Sequence, residues 1–390
     1  LMGFFALLRM TMLIMKIVLI GGHLSPALSV LEALPKETKI LFIGRKYALE
    51  GDKALSLEYK TITGLNIPFV GLNTGRLQRK LTRFTLFSLL KLPFGIIKSF
   101  LILIEFRPDV VVGFGGYVSI PVILCSFILR IPSVIHEQTM EAGLANKLVS
   151  RFAKKICISW QTSQKYFPKD KVVMTGNPIR KFPIFIPTQS EQFSIFNNKL
   201  PTIFITGGSS GSHFINVLTE GIIKELLRTY NIIHQVGDAH EYHDFDRLER
   251  IRQALPEKLR DNYILEKFID PSEIGELISS SSLIISRSGM NIITELLYFE
   301  KPALLIPLPF SQNNEQLKNA RFLEKIGIGK ILQQGELDSR KLFQAIDFVF
   351  HNLNNYKINK SELKSLPSKN AAQSIISIIN YAAKKRTKIF

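Results

Sequence analysis

Two doubly wound α/β domains of Rossmann-like type are the fold this sequence predicts, and three observations carry the prediction. Short runs of β-branched and apolar residues alternate with helical patterns along most of the chain, the signature of βαβ units that build parallel sheets. The series runs twice, on either side of a Pro-bearing, weakly periodic stretch at 181–200 that suits an interdomain linker. The length of 390 residues exceeds what one core ordinarily organises, so about two domains of 150–200 residues are expected. Two such domains facing each other would leave a cleft between the carboxyl ends of their sheets, where ligands of this architecture bind.

Residues 1–14 are apolar, interrupted by Arg9 and too short to span a bilayer. Met15-Lys16 opens a typical first strand, so an upstream extension of the reading frame is expected, with a peripheral membrane anchor as the alternative. Strands are predicted at 16–20, 40–43, 109–113, 133–136 and 155–159, giving a first domain over 15–180. A second set at 202–206, 232–236, 283–286 and 303–307 gives a second domain over 201–350. The remaining 351–390 contains an amphipathic helical pattern at 370–385 expected to pack back on the body.

The turns after these strands carry the chemistry. In 287–320 a buried strand runs into Arg287-Ser288-Gly289 and then a helix over 291–298, whose free N–H groups favour an anion. Glu295 lies about one turn in, placed either to accept from the vicinal hydroxyls of a ribose or simply to be solvated; this is how a sugar nucleotide is usually held. Gly21 to Ala27, GGHLSPA, offers two glycines for close backbone approach and Pro26 for a helix start. His23 there reads as a general base or as a structural loop histidine. Phe114 to Pro121 is again a glycine turn into a helix, yet no segment forms a dinucleotide fingerprint. Ile205 to Asn216, ITGGSSGSHFIN, suits a phosphate cradle but lacks the P-loop lysine, which argues against nucleoside triphosphate hydrolysis.

Fifty Lys and Arg against 32 Asp and Glu give a formal charge of +18, compatible with nucleic acid, anionic membrane or phosphorylated substrates. The two cysteines, Cys125 and Cys157, sit in apolar stretches, so neither a disulfide framework nor a zinc site is expected and the compartment reads as reducing, on the cytosolic side.

The motifs GGHLSPA, VVGFGGYVSIP, IHEQTMEAGLANKL, TGNPIR, TGGSSGS, FID, RSGMNIITELL and NNEQLKNA, in this order from Met15 to Leu332, resemble those of the MurG family of peptidoglycan N-acetylglucosaminyltransferases. The resemblance implies a GT-B architecture and an inverting transfer of GlcNAc from UDP-GlcNAc to the C4 hydroxyl of undecaprenyl-pyrophosphoryl-MurNAc-pentapeptide. It places Gly21, Gly22 and His23 at the transferred sugar and acceptor, and Arg180 and Ser209 on the donor. Ile269 would meet the uracil, while Met290, Asn291, Ile292, Ile293, Thr294 and Glu295 would wrap the nucleoside, with Glu295 on the ribose. Gln316 would reach the GlcNAc hydroxyls, and Tyr117, His136 and Glu137 would line the acceptor side. His23 is the expected base, with Glu137 in reserve. Helix-start N–H groups, Ser209 and Arg180 would stabilise the departing diphosphate, so neither metal nor other cofactor is expected. Two departures stand out: the family's GGTGGH loop is three residues longer than the one here, and its HEQN is HEQT, putting Thr139 where an amide is expected at the donor sugar.

Residues 76–107 mix basic and apolar side chains, with Leu77, Leu81, Phe84, Phe87 and Leu90 at helical spacing beside Arg79, Lys80 and Arg83. They read either as a core helix with solvated cations or as a surface drawn to anionic lipid, and a lipid-linked acceptor favours the second. The expected location is therefore the cytoplasmic face of the cell membrane, held peripherally, with cell-wall and division machinery as further candidate partners. RNA-type aromatic-basic motifs are missing, so nucleic acid is not expected. The rivals are a UDP-GlcNAc 2-epimerase or other UDP-sugar transferase of the same architecture, and a catalytically silent membrane scaffold.

Overall fold

A computed structural model of the chain describes residues 14–47, 55–74, 92–179, 196, 198–237, 240–270, 273–359 and 370–384. The chain divides into two compact units, Leu1–Arg180 with Pro367–Phe390, and Lys181–Leu366. The expected linker lies largely outside the described residues, as do 1–13.

The first unit holds a parallel sheet in the order β3-β2-β1-β4-β5-β6-β7, formed by Lys16–Ile20, Lys39–Gly44, Phe69–Gly71, Val110–Gly113, Ser133–Glu137, Lys155–Ile158 and Val172–Met174, numbered β1 to β7 in chain order. The second repeats the pattern as β10-β9-β8-β11-β12-β13, with β8 to β13 at Thr202–Thr206, Asn231–Gln235, Tyr263–Glu266, Leu283–Ser286, Ala303–Leu305 and Gly329–Ile331. The central strands are runs such as VVVG and LIIS, buried along their length, because helices cover both faces of a parallel sheet. In both sheets the chain winds outward to one side from the first strand and then to the other. That reversal creates a switch point between β1 and β4, and between β8 and β11.

The amphipathic tail is helical over Ala371–Lys384. Its Ile375, Ile376, Ile379 and Ala382 are buried in the first unit's core beside Ile17, Leu28 and Val30. The tail expected as one segment from 351 is thus divided, because Asn359 still bonds through its N–H to the Ile326 carbonyl (2.8 Å) in the second unit, and only the last helix returns to the first.

Candidate active site

At the carboxyl end of the first sheet, the turns after β1 and β4 meet at the switch point. Gly115 and Gly116 have φ of +79° and +71°, conformations that disfavour side chains. A Cβ on Gly22 would lie 2.4 Å from the Gly115 carbonyl oxygen, so the contact requires bare backbone. His23 sits at the start of the helix Leu24–Ala33. Its N–H donates to the Phe114 carbonyl (3.1 Å) and its Nδ1 lies 2.8 Å from the same oxygen. A carbonyl can only accept, so Nδ1 carries the hydrogen and neutral His23 presents Nε2 as a lone pair. Burial lowers the His23 pKa, opposed by the Glu137 charge and the Phe114 bond. The ring is therefore a neutral base near pH 7.

The glycine turn itself is already committed. The Gly21 N–H donates to the Ile43 carbonyl (2.8 Å) and the Gly22 N–H to Glu58 Oε1 (3.0 Å). Both N–H groups are thus bonded within the protein, so an approach of ligand to Gly21 and Gly22 would be to the bare Cα and carbonyl surface. Tyr117 is half-buried, with the Arg45 guanidinium 5.7 Å from its ring centre.

The HEQT segment turns inward. His136 is 1% exposed, its Nε2 lies 3.2 Å from the Gly176 carbonyl and 3.1 Å from Ser159 Oγ, and burial takes its pKa down to about 4. Its side chain lies beneath the surface where acceptor contact was expected. Glu137, also buried, accepts from the Thr139 N–H (3.1 Å), Thr139 Oγ1 (2.6 Å), the Gly143 N–H (2.9 Å) and Asn146 Nδ2 (3.0 Å). A carboxylate so satisfied holds the 137–146 loop in shape and is poorly placed as a reserve base. Thr139, 8% exposed, points at Glu137 and at the Glu141 carbonyl (2.5 Å). Its side chain is part of this loop clamp rather than a sugar contact.

The second unit presents a different edge. Gly211 has φ of +75°, and a Cβ there would sit 2.0 Å from the Val236 carbonyl oxygen, so the turn after β8 packs directly on the turn after β9. Ser209 is exposed at its crest. Ser212 caps the helix His213–Glu220 and accepts from Arg287 Nε (3.1 Å). Arg287 Nη1 donates to the Ile306 carbonyl (3.0 Å) and to Gln334 Oε1 (2.8 Å). This guanidinium bridges the turns after β8 and β11 using neutral acceptors, with no carboxylate partner among the described residues. Sequence reasoning read it only as a turn residue; its one signal was a cation placed immediately after the buried run LIIS. Arg180 lies outside the described residues.

The helix Met290–Phe299 starts at Gly289 without a side-chain cap, leaving its first N–H groups open. Met290, Ile293 and Thr294 are buried, and so is Ile269 at 3% exposure. By contrast, Asn291 is exposed and Ile292 and Glu295 are half-buried. Burial alone pushes the Glu295 carboxyl up to about 8. No hydrogen bond or ion pair holds it among the described residues, so this is a desolvated acceptor awaiting donors. Gln316 is held near the same turn, its Oε1 accepting from the Leu308 N–H (2.9 Å) and its carbonyl from Ser288 Oγ (2.8 Å), which leaves its amide NH₂ as the free end.

Comparison with known proteins agrees with this division. The Glycosyltransferase family 28 N-terminal domain matches residues 20–158 and the Glycosyltransferase family 28 C-terminal domain matches residues 202–375. The chain is 33% identical to the UDP-N-acetylglucosamine--N-acetylmuramyl-(pentapeptide) pyrophosphoryl-undecaprenol N-acetylglucosamine transferase of Treponema denticola, covering 80% of this chain and 81% of the relative. It is 30% identical to the enzyme of the same name from Legionella pneumophila strain Paris, covering 94% and 96%. Among solved structures, Acinetobacter baumannii MurG superposes with a TM-score of 0.65 at 25% identity over 94% of this chain and 99% of that one. A Neisseria meningitidis UDP-GlcNAc 2-epimerase shares the fold, with a TM-score of 0.61 at 17% identity over 94% of this chain and 100% of that one. The two family 28 domains and relatives of this identity over most of both chains establish that the chain belongs to the MurG family of glycosyltransferases.

Proposed function

We propose that the chain is an inverting N-acetylglucosaminyltransferase that moves GlcNAc from UDP-GlcNAc to the C4 hydroxyl of undecaprenyl-pyrophosphoryl-MurNAc-pentapeptide, forming a β-1,4 link. The observation that carries this reading is the edge of the second unit, where an uncapped helix start, the Arg287 guanidinium and a desolvated Glu295, neither with a charged partner among the described residues, lie along one turn and helix. Those groups match a diphosphate followed by a ribose. Family membership supplies the acceptor. In the transfer, His23 Nε2 takes the proton of the attacking hydroxyl, while the helix-start N–H groups, Ser209 and Arg287 stabilise charge gathering on the leaving diphosphate, with Arg180 expected to join them.

A lipid-linked acceptor calls for a membrane surface. The helix Leu92–Phe106 leaves Phe94, Ile97, Leu101 and Ile104 between 43% and 73% exposed, and Phe127 and Ile128 on the helix Ser119–Ile128 are more than half exposed. Scattered exposed apolar residues are ordinary; a row along one helix beside Lys98, Arg107 and Arg130 is what peripheral binding to anionic lipid uses. No helix among the described residues is long and apolar enough to cross a membrane. The expected cations Arg79, Lys80 and Arg83, with Phe84 and Phe87, fall outside the described residues. The proposed location is the cytoplasmic face of the membrane, held peripherally.

The test is transfer of radiolabelled GlcNAc from its UDP donor into solvent-extractable lipid, with the linkage of the product determined. A β-linked disaccharide on the lipid supports the reading. Conversion of UDP-GlcNAc to a 2-epimer without acceptor would replace it.

A further inference from the structure

The turn after β12 carries the most exposed large apolar side chain among the described residues. Phe310 is 95% exposed there, and Leu308 is 42% exposed. A lone hydrophobe in water is ordinary and implies no ligand. What distinguishes Phe310 is how firmly its loop is built and what the loop is tied to.

Pro307 and Pro309 fix their own φ and keep Ile306 and Leu308 extended, so the chain leaving the strand has little freedom. Beyond Phe310, the Ser311 N–H donates to the Leu308 carbonyl (3.3 Å) and the Asn314 N–H to the Ser311 carbonyl (3.0 Å). Asn313 and Asn314 both have φ of +54°, left-handed conformations that asparagine tolerates better than most residues. Gln316, in the first turn of the helix Glu315–Ile326, closes the loop. Its Oε1 accepts from the Leu308 N–H (2.9 Å), and its own N–H donates to Ser311 Oγ (3.2 Å). Phe310 is thus held between two anchors on one residue. The loop is also tied to the turn that starts the helix Met290–Phe299, since Arg287 Nη1 reaches the Ile306 carbonyl and Ser288 Oγ the Gln316 carbonyl.

We propose that Phe310 is a specificity-determining residue for the donor sugar: its ring takes the C–H face of the transferred hexopyranose while the free NH₂ of Gln316 takes a ring hydroxyl. A pyranose is amphipathic, with hydroxyls around its rim and C–H groups across its faces, and sites for such ligands combine a few polar groups with aromatic surface. Here both belong to one pinned loop. A sugar engaged by the Gln316 amide is met by a rigid unit, so little conformational freedom is lost on binding. Lipid fits this ring less well. Residues 306–316 contain no Lys or Arg and one Glu, whereas attachment to anionic lipid uses apolar residues beside cations. The inference rests on the donor reading above, which puts the sugar at Gln316.

The test is calorimetry on full-length protein with UDP-GlcNAc and, separately, with UDP, which lacks the sugar. In Phe310→Ala, affinity for UDP-GlcNAc should fall roughly three- to tenfold while affinity for UDP stays at the wild-type value, which also shows that the variant is folded. Phe310→Tyr, which keeps the aromatic face, should bind UDP-GlcNAc as wild type does. Unchanged UDP-GlcNAc affinity in Phe310→Ala overturns the proposal. An equal loss for both ligands overturns it too, since the ring would then serve the nucleotide. Intact binding of both ligands with weaker sedimentation on anionic vesicles would assign the ring to lipid instead. Wild type that binds neither ligand overturns the donor reading and this inference with it, whereas wild type that binds both beside an unaffected Phe310→Ala overturns this inference alone.

Discussion

Glu295→Gln should push stability and donor affinity in opposite directions. An ordinary Glu titrates near about 4.3, whereas burial holds Glu295 at about 8. A carboxyl raised in the folded state contributes its full stability below about pH 4, and that contribution is lost as pH rises through about 8. At pH 7 the penalty is at most about 3.7 kcal/mol. Because the side chain is half-buried, solvent screening reduces this to about 1–3 kcal/mol. Glutamine removes the penalty, so the unliganded second unit should melt higher, by about 2–4 °C per kcal/mol for a domain of this size. The same change removes a charged acceptor for two ribose hydroxyls, and UDP affinity should fall by roughly 1.5–3 kcal/mol, about tenfold to a hundredfold. Wild-type UDP affinity should itself rise with pH up to about 8 and then level, since only the carboxylate accepts from both hydroxyls. Thermal melts without nucleotide and calorimetry with UDP read the two effects. A Glu295→Gln protein that binds UDP as wild type does removes this residue from the donor site, and one that melts lower shows that the carboxylate is paired in solution.

His23→Ala should lower the maximal rate by roughly 10² to 10⁴ with UDP affinity nearly intact; loss of UDP binding instead would make it a structural residue. Because burial keeps the wild-type ring neutral, wild-type activity should decline on acidification only below the usual histidine range, and a fall beginning above it contradicts the assignment. Replacing Phe94, Ile97 and Leu101 by Ser should release the protein from anionic vesicles while UDP binding persists, and Glu at Arg79, Lys80 and Arg83 should add to the release; sedimentation unchanged in both would move the attachment surface elsewhere. Ile379→Ala, at a fully buried position of the last helix, should cost about 2–5 kcal/mol by urea unfolding of the full chain, whereas a loss below about 1 kcal/mol would mean that the helix is not docked in the first unit's core.

Most of the fold was legible in the sequence, and what was missed follows one rule. The strands predicted from continuous apolar runs are the inner ones, buried on both faces. The four overlooked, β3, β7, β10 and β13, are the edges of the two sheets. They are three or four residues long, and each leaves part of its length half-buried or exposed, so no run of apolar letters marks them. The site divides in a similar way. His23 and Glu295 were found because a glycine turn or helix start announces the residue beside it. Arg287 and Glu58 were not given roles, because each acts through a partner distant in sequence: Arg287 meets Ser212 and Gln334, and Glu58 meets Gly22. His136, Glu137 and Thr139 were singled out by motif position alone; that they are buried, with Glu137 bonded to Thr139, Gly143 and Asn146, depends on partners in the following loop that no local pattern announces.

The central claim is that donor chemistry in this chain waits for a lipid-linked hydroxyl. The most direct measurement is UDP release from UDP-GlcNAc by purified full-length protein in detergent or vesicles, with and without undecaprenyl-pyrophosphoryl-MurNAc-pentapeptide, wild type beside His23→Ala. Release that requires the acceptor and collapses in the variant is the predicted result. Release at the same rate without acceptor, or none with it from protein that binds UDP, would contradict the account.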